Sequence, residues 1–349
     1  MAYANIETGE RRGFLSDLLG IEVLHQLHPD AVLLFVSKSL RLFSFGFLSV
    51  MLVVYLNTLG FPLSSVGSLF TFTLLGDAVI SIFLTSRADV FGRRSTLMIS
   101  SVLSGVTSLV FLSSKNYTML LITGILGVIS PSGNEIGPFM AVELSALTEV
   151  TRSEDRTRLM AWYNLSGCFS SAAGALVCGL IIEVALLKGA TELEAYKYVL
   201  ALYAFVQFLL GCIFYRLSPA IEIPSRSAQV KQVNPVTLFM GLHKSKWIIL
   251  QLGAYFIIDS FAGSFVLMSI MTDWFYLTYG TSPKFLGSLV FVCNLVAGIS
   301  ALFAAKLADR IGLIMTMVVT HLPSNILLAL VPLMPGETAA MAMLCARYW

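Results

Sequence analysis

Charged residues are scarce in this chain, at 12% of 349 residues, whereas hydrophobic residues make up 57%. Average globular domains carry about 25% charged residues, so the composition excludes an ordinary water-soluble fold. Apolar runs of roughly 20 residues, the length that a helix needs to cross a bilayer, recur along most of the sequence. Because helices satisfy their own backbone hydrogen bonds in lipid, we predict an all-α polytopic membrane protein.

The motifs of several enzyme classes are also missing. The sequence contains no Gly-x-x-x-x-Gly-Lys-Ser/Thr phosphate loop, no His-Glu-x-x-His metal motif and no Gly-x-Ser-x-Gly nucleophile motif. Its five cysteines fall inside predicted spans, without the spacing of a zinc site or a disulfide framework. We predict that the protein is not an enzyme and holds no cofactor or metal. With a net charge of only +2, it is also not expected to bind nucleic acid.

Nine membrane spans and the start of a tenth are predicted from the apolar runs and from the Gly, Pro and charge clusters between them. They lie near 39–58, 66–86, 95–113, 118–140, 160–182, 197–215, 247–275, 285–305 and 314–333, with the tenth opening at about 338. The longest polar interval, 217–246, is basic and contains prolines, which is typical of a linker. The predicted domains are a cytoplasmic tail at 1–38, a six-helix N-terminal half at 39–216, this linker, and a partial C-terminal half at 247–349.

Lys and Arg residues concentrate on one side of the predicted spans. Basic loops are retained in the cytoplasm, so this bias predicts a cytoplasmic N-terminus and a cytoplasmic linker. Lys38 and Arg41 lie where span one leaves that side, and we expect them to anchor at the lipid head groups. The pattern fits a plasma membrane or an organelle membrane equally well.

An internal repeat links the two halves of the sequence. A single ungapped offset of 220 residues pairs Gly60 with Gly280 and Gly92 with Gly312, at equivalent positions relative to the spans. Repeated halves define many transporter folds. The repeat predicts six spans in each half. Partners of spans five and six would then lie beyond Trp349, so we expect nine or ten of twelve helices within this chain.

One loop of the first half carries a family signature. Gly76 precedes Arg87-Ala88-Asp89-Val90-Phe91-Gly92-Arg93-Arg94 between spans two and three, and Ala308-Asp309-Arg310-Ile311-Gly312 occupies the repeated position. With this spacing and the repeat, the chain resembles the major facilitator superfamily. The resemblance implies a twelve-helix fold with two six-helix halves and transport by alternating access. In the repeated loop, Leu313 and Ile314 replace the basic pair, so the resemblance is weaker there.

The resemblance also implies a role for this signature loop. It would be a cytoplasmic gate that stabilises the outward-facing state and does not touch substrate. The predicted gating residues are Gly76, Arg87, Asp89, Gly92, Arg93, Arg94, Asp309, Arg310 and Gly312. Physically, Gly92 permits a tight turn, and the arginines are able to pair with carboxylates across the cytoplasmic face. The alternative is that the arginines only enforce topology.

Two aspartates are predicted near the middle of the membrane. Ionisable groups there need a partner, a proton or a watery cavity. Asp259 in span seven is a candidate substrate or proton site, because the first and seventh helices line the cavities of similar folds. The alternative for Asp259 is a structural pair with a hydroxyl or a cation. Asp77 in span two is a weaker candidate, for which a helix-packing or gating pair is favoured.

The end of span four combines backbone breakers with polar side chains. Two prolines and two glycines surround Asn134 and Glu135 between residues 130 and 139, which predicts a kinked, cavity-facing stretch. Asn134 and Glu135 are therefore candidates for a substrate or proton site. The alternative is a bent cytoplasmic end whose Glu135 pairs with arginines of the following loop. Glu143 is expected at or beyond the cytoplasmic end of the span.

These observations favour a secondary active transporter of a small organic solute that works by alternating access. A proton gradient acting through Asp259 is a candidate energy source, since no nucleotide-binding motor is present. The expected partners are therefore a small-molecule substrate, the lipid bilayer and protons. The alternative function is a membrane receptor or assembly partner that derives from a transporter fold and moves no solute.

Overall fold

The computed structural model describes residues 27–127, 137–152, 155–222 and 246–349, and the regular elements in these ranges are helices. The first half contains α1 (Pro29–Thr58), α2 (Leu63–Phe91), α3 (Arg93–Ser113), α4 (Tyr117–Leu126), α5 (Pro138–Glu149), α6 (Arg156–Leu187) and α7 (Glu192–Tyr215). The second contains α8 (Lys246–Ser264), α9 (Met268–Tyr279), α10 (Pro283–Ile311), α11 (Leu313–Leu330) and α12 (Glu337–Arg347). Short 3-10 turns follow α7 and α11. Eight stretches in the described residues are long and apolar enough to cross a membrane.

Two of the predicted spans are broken helices. In the described residues, span four contains the separate helices α4 and α5, and span seven contains α8 and α9. Helix α5 starts after Gly137, whose φ of 84° is a conformation that glycine favours, with Pro138 at its first turn. Residues 128–136, which include Asn134 and Glu135, lie outside the described residues.

The first helix is longer than the sequence predicts. It begins at Pro29 rather than near 39, because proline suits the first turn of a helix and the His28 side chain accepts a hydrogen bond from the Asp30 amide. Asp30 is buried and accepts hydrogen bonds from the amide and hydroxyl of Ser218, just after α7. The polar residues of the first turns are therefore packed against neighbouring segments.

The sequence repeat is also a repeat of structure. Helix α10 begins and ends 220 residues after α2, and α12 begins 220 residues after α4. The φ angles of Gly60 and Gly280 are 90° and 67°, and those of Gly92 and Gly312 are 92° and 83°. Side chains other than glycine rarely adopt such angles, so both halves use glycine for the same two turns.

Helix α1 lies in the middle of the first half and packs closely against α6 and α7. A Cβ atom added to Gly46 would lie 2.3 Å from the Ser171 carbonyl oxygen, and one added to Gly174 would lie 1.9 Å from that of Phe43. Small residues at such contacts let helix backbones approach closely in a membrane. We call the end of the bundle with Gly60 and Gly280 the Gly60 end, and the opposite end, with Gly92 and Gly312, the Gly92 end.

Candidate functional site

A buried ionic cluster joins α1, α5 and α6, and we call it the Arg41 cluster. Arg41 Nη2 lies 2.7 Å from Glu143 Oε2, and both side chains are 0% exposed. The same carboxylate accepts hydrogen bonds from the Ser37 hydroxyl, at 2.9 Å, and from the Tyr163 hydroxyl. The Arg41 guanidinium also lies over the Phe139 ring, 4.7 Å from its centroid. A guanidinium and two hydroxyls thus converge on the Glu143 carboxylate.

Lys38 extends the cluster toward the surface of α6. Its Nζ donates to Asn164 Oδ1 over 3.2 Å and lies 4.1 Å from the centroid of the Tyr163 ring. Lys38 itself is only 2% exposed, whereas Asn164 is exposed. Its stem crosses α6 at Gly167, where an added Cβ would lie 2.8 Å from Lys38 Cε.

The prediction that Lys38 and Arg41 anchor at the head groups is therefore wrong. Their spacing on α1 points both side chains at α5 and α6, where Glu143, Tyr163 and Asn164 receive them. Glu143 also lies inside α5 rather than at or beyond the end of its span. An acid in span four together with two cations one turn apart in span one was the signal that could have revealed the cluster.

Helix α7 adds neutral polar groups to the Arg41 cluster. Gln207 Nε2 donates to Ser44 Oγ over 3.1 Å, and Ser44 Oγ donates to the Arg41 carbonyl over 2.7 Å. Gln207 Oε1 and the Tyr203 hydroxyl are buried and have no hydrogen-bond partner in the described part of the chain. Polar groups buried in this way are often completed by internal water.

Asp77 lies where α2 meets the break between α4 and α5. It is 7% exposed, and its Oδ2 accepts a hydrogen bond of 3.0 Å from the Gly137 amide at the start of α5. The neighbouring Gly76 allows the close contact, since an added Cβ would lie 2.4 Å from the Ile125 carbonyl oxygen. Asp77 thus binds the N-terminus of a half-helix, where a carboxylate is favoured.

Asp259 has a different environment. It lies on α8, where its side chain is exposed, and it forms no hydrogen bond or ion pair with any residue that the structure describes. The structure therefore leaves Asp259, Asp77 and the Arg41 cluster as three separate polar positions. Within the described ranges, no group of three or more His, Cys, Asp or Glu side chains converges as a metal site would require.

The signature loop is held by a residue that sequence reasoning missed. Glu222, the last residue of the described range 155–222, accepts hydrogen bonds from the amides of Arg93, at 2.7 Å, and Arg94, at 3.0 Å. It thereby caps α3. Gly92 leaves room for this carboxylate, because an added Cβ would lie 3.1 Å from Glu222 Oε1. The acid was assigned to the linker, where nothing in the local sequence indicated a long-range cap.

The arginines of the loop bind within the first half. Arg93 Nη1 donates to the Ile221 carbonyl over 2.7 Å and to that of Ser145 over 3.3 Å, and lies 3.7 Å from Glu149 Oε2. Arg94 lies over the Tyr215 ring, 4.6 Å from its centroid.

Arg87 lies over the Phe83 ring of its own helix, at 4.7 Å, and Arg310 in the repeated loop is exposed. The side chains of Asp89 and Asp309 lie outside the part of the structure that is described.

The two halves meet through α6 and α10 and through α1 and α9. Their backbones approach closely at two glycines. A Cβ added to Gly287 would lie 2.5 Å from the Ala175 carbonyl oxygen, and one added to Gly179 would lie 2.6 Å from that of Pro283. Neither glycine could carry a side chain without moving the helices apart.

Polar contacts between the halves accompany this approach. The pairs are Asn57 Nδ2 with Asp273 Oδ1 at 2.7 Å, Ser49 O with Thr272 Oγ1 at 3.2 Å, Glu192 Oε1 with Tyr276 OH at 3.1 Å, and Glu183 Oε1 with Lys284 Nζ at 3.4 Å. All of them lie in the part of the bundle nearer the Gly60 end. Between side chains that the structure describes, no hydrogen bond or ion pair joins the halves near the Gly92 end.

Comparisons with known proteins agree with this architecture. A Saccharomyces cerevisiae protein described as an uncharacterized membrane protein is 30% identical over 328 residues, which cover 87% of this chain and 73% of that protein.

Among solved structures, a D-xylose-proton symporter matches with 16% identity and a TM-score of 0.64, over 91% of this chain and 78% of its own. The nucleoside transporter NupG matches with 14% identity and a TM-score of 0.68, over 92% and 78%. A bacterial homolog of the human lysosomal transporter Spinster, in an inward-facing and occupied conformation, matches with 17% identity and a TM-score of 0.62, over 91% and 70%. The sequence profile of the Major Facilitator Superfamily matches residues 34–347, and the chain belongs to this family.

Proposed function

We propose that this protein is a secondary active transporter that moves a small polar organic solute by alternating access. The observation that carries the proposal is the placement of the contacts between the halves. Backbone contacts and polar pairs join them near the Gly60 end, and the described side chains form no such pairs near the Gly92 end. A bundle closed at one end and separable at the other fits a solute path that opens to one side at a time.

The contacts at the Gly60 end are of a kind that can break and re-form. The Glu183–Lys284 pair is partly exposed, and the hydroxyl of Tyr276 bonds an exposed Glu192. Such exposed pairs contribute at most about 1 kcal/mol each. In the orientation that the basic loops favour, the Gly60 end faces outward, and the present conformation would then be open toward the cytoplasm.

The solute class follows from the exposed side of α6 and from the structural neighbours. Asn164 is exposed, and the buried Lys38 lies directly behind it. On the adjoining face of α6, Leu165 and Cys168 pack against Gly298 of α10, so Asn164 lies beside the junction between the halves. The D-xylose-proton symporter and the nucleoside transporter NupG are both named for solutes that bear hydroxyl groups. An amide backed by an ammonium suits polar groups of this kind.

Other candidates keep their proposed roles. Asp259 is exposed on α8 and stays a candidate substrate or proton site. The signature loop remains a proposed gate: in this conformation Arg93 is bound to groups of the first half, and closure at the Gly92 end would give the loop partners in the second half. Proton coupling is proposed as the energy source, in keeping with the symporter among the neighbours.

A reversible cross-link at the Gly60 end tests this function. Asn57→Cys combined with Asp273→Cys places two thiols at a contact that is now a 2.7 Å hydrogen bond. Proteoliposomes would be assayed for uptake of labelled D-xylose and uridine under an imposed proton gradient. We expect oxidation to stop uptake by the double variant and a reductant to restore it.

The single variants Asn57→Cys and Asp273→Cys are the matched controls, because they carry the same native cysteines but cannot form this bridge. Their uptake should not respond to oxidation. Uptake by a fully cross-linked double variant would contradict alternating access through this contact. Saturable binding of either solute without any uptake by the unmodified chain would contradict the transporter function itself.

A further inference from the structure

Three polar side chains lie one turn apart on a single face of α2. They are Thr73, Asp77 and Ser81, and residues spaced by four share a face of a helix. Each has a buried oxygen without a hydrogen-bond partner in the described part of the chain: Thr73 Oγ1, Asp77 Oδ1 and Ser81 Oγ. The site thus consists of a carboxylate oxygen with a hydroxyl on either side of it.

The two hydroxyls differ from four others on the same helix. Those of Ser68, Thr71, Thr85 and Ser86 donate to backbone carbonyls of the preceding turn, as hydroxyls in membrane helices commonly do. Thr73 and Ser81 make no such bond. Their oxygens therefore retain both donor and acceptor capacity next to Asp77.

This face of α2 covers the break between α4 and α5. A Cβ added to Gly124 would lie 2.7 Å from Thr73 Oγ1, and the adjoining Gly76 touches Ile125 near the end of α4. One turn further on, Asp77 Oδ2 binds the Gly137 amide at the start of α5. The carboxylate lies between the C-terminal end of one half-helix and the N-terminal end of the next. The C-terminal end of α4 favours a cation, and the N-terminal end of α5 favours an anion.

Asp77 also differs from Glu143 in its donors. Glu143 receives a guanidinium and two hydroxyls, whereas Asp77 receives one neutral amide and forms no ion pair with a described residue. A carboxylate inside a membrane span needs a counter-charge or a proton. The helices described around Asp77 supply neither to its Oδ1.

Charged groups on the helices packed against α2 have partners of their own. On α1, α3 and α5 they are Asp30 with Ser218, Lys38 with Asn164, Arg41 with Glu143, Arg93 with Glu149, and Arg94 over Tyr215. The phenols of Tyr55 and Tyr117 bind Phe111 and Ser68. None of these contacts reaches Asp77.

We propose that Asp77 Oδ1, flanked by the hydroxyls of Thr73 and Ser81, binds the small monovalent cation, H⁺ or Na⁺, whose gradient drives transport. Successive side chains on this face are about 6 Å apart along the helix axis. That is close to two hydrogen bonds of about 2.8 Å, so one water molecule between Asp77 and each hydroxyl completes the shell. The role in transport rests on the proposed function, whereas the binding of the cation does not.

The test measures cation binding without any solute. The purified full chain would be unfolded thermally in detergent across a Na⁺ series at constant ionic strength, with choline as the replacement, and across a pH series without Na⁺. A ligand that binds only the folded state raises the melting temperature as its concentration rises. We expect either the Na⁺ series or the pH series to stabilise the unmodified chain. We expect Asp77→Asn to abolish that response.

Matched variants keep the experiment decisive. Thr71→Val on the same helix removes a hydroxyl that already donates to the Gly67 carbonyl, and should retain the response. Thr73→Val removes one hydroxyl at constant shape, keeps the Gly137 contact of Asp77, and should weaken the apparent cation affinity by about fivefold. If Asp77→Asn does not fold, the Thr73→Val series decides by itself.

The outcomes separate the site from the function. A response to Na⁺ or to pH that is the same in the unmodified chain, Asp77→Asn and Thr73→Val would overturn the proposal, as would the absence of any response in the unmodified chain. A response that depends on Asp77 in a protein that moves no solute would leave the cation site standing and refute the transporter function. Solute uptake that is insensitive to both cations would leave the transporter function standing and refute the role of this site in transport.

Discussion

Neutralising Glu143 should destabilise the protein strongly, because its side chain and that of Arg41 are wholly buried. Glu143→Gln keeps the size of the side chain and removes the negative charge 2.7 Å from the Arg41 guanidinium. Removing one partner of a wholly buried pair costs about 3–5 kcal/mol of folding free energy. The Tyr163 and Ser37 hydroxyls would also lose an ionised acceptor. We expect a loss in this range.

The Glu183–Lys284 pair provides a control with the same chemical change. Its side chains are 32% and 49% exposed, and its atoms are 3.4 Å apart, so Glu183→Gln should cost less than about 1 kcal/mol. Both variants would be unfolded reversibly in mixed detergent micelles, and the free energies compared at one protein concentration. Burial, the shorter distance and the two hydroxyl donors distinguish Glu143 from this control.

A double-mutant cycle isolates the pair. Arg41→Met with Glu143→Gln removes both charges, and the loss should be smaller than the sum of the single losses by about 1–3 kcal/mol. Additive losses would show that the two side chains do not interact in the folded protein. A Glu143→Gln variant as stable as the Glu183→Gln control would refute the reasoning outright, since it would mean that the buried Arg41 guanidinium does not depend on the Glu143 charge.

Three further changes test other contacts. Glu222→Ala removes the cap on two amides of α3 and should cost about 1 kcal/mol of unfolding free energy, whereas Glu222→Gln, which keeps an acceptor oxygen, should cost less. Gly287→Val should push α10 away from the Ala175 carbonyl and expose the Gly60 end to thiol reagents. Gly253→Ala, which adds a carbon with nothing within 4 Å, should not change the labelling of the Gly60 end. Equal labelling of the Gly287→Val and Gly253→Ala variants would contradict the backbone contact. Gly92→Ala should be destabilised by about 1 kcal/mol or more, because its φ of 92° strains any other residue, and unchanged stability would count against that turn.

The helices and the repeat could be predicted because they depend on local sequence. Apolar length predicts a span, and glycine at Gly92 and Gly312 predicts a turn of one particular shape in each half. The start of α1 at Pro29 was missed because its early turns carry polar residues, which look like a tail when their distant partners are unknown. The sequence shows that a residue is polar, but it does not show whether a distant helix supplies a partner for that residue.

The candidate site was less predictable for the same reason. Lys38 and Arg41 have the spacing of interfacial anchors, and only the fold brings Glu143 and Asn164 to them. Glu222 caps a helix that begins 129 residues earlier in the chain, a contact with no local signal. Asp77 contacts the start of another helix, and the unsatisfied hydroxyls around it depend on rotamers that no sequence pattern encodes.

The glycine contact between α6 and α10 has a consequence for speed rather than for affinity. Where Gly179 meets Pro283 and Gly287 meets Ala175, the surfaces in contact are smooth backbone, without interlocking side chains. Where side chains interdigitate, they must change rotamers before one half can tilt against the other. A contact between backbones needs no such change. If the halves rock as proposed, this backbone contact adds little to the barrier for their motion. The polar contacts beside it, such as Asn57 with Asp273, then set the lifetime of the state that is closed at the Gly60 end.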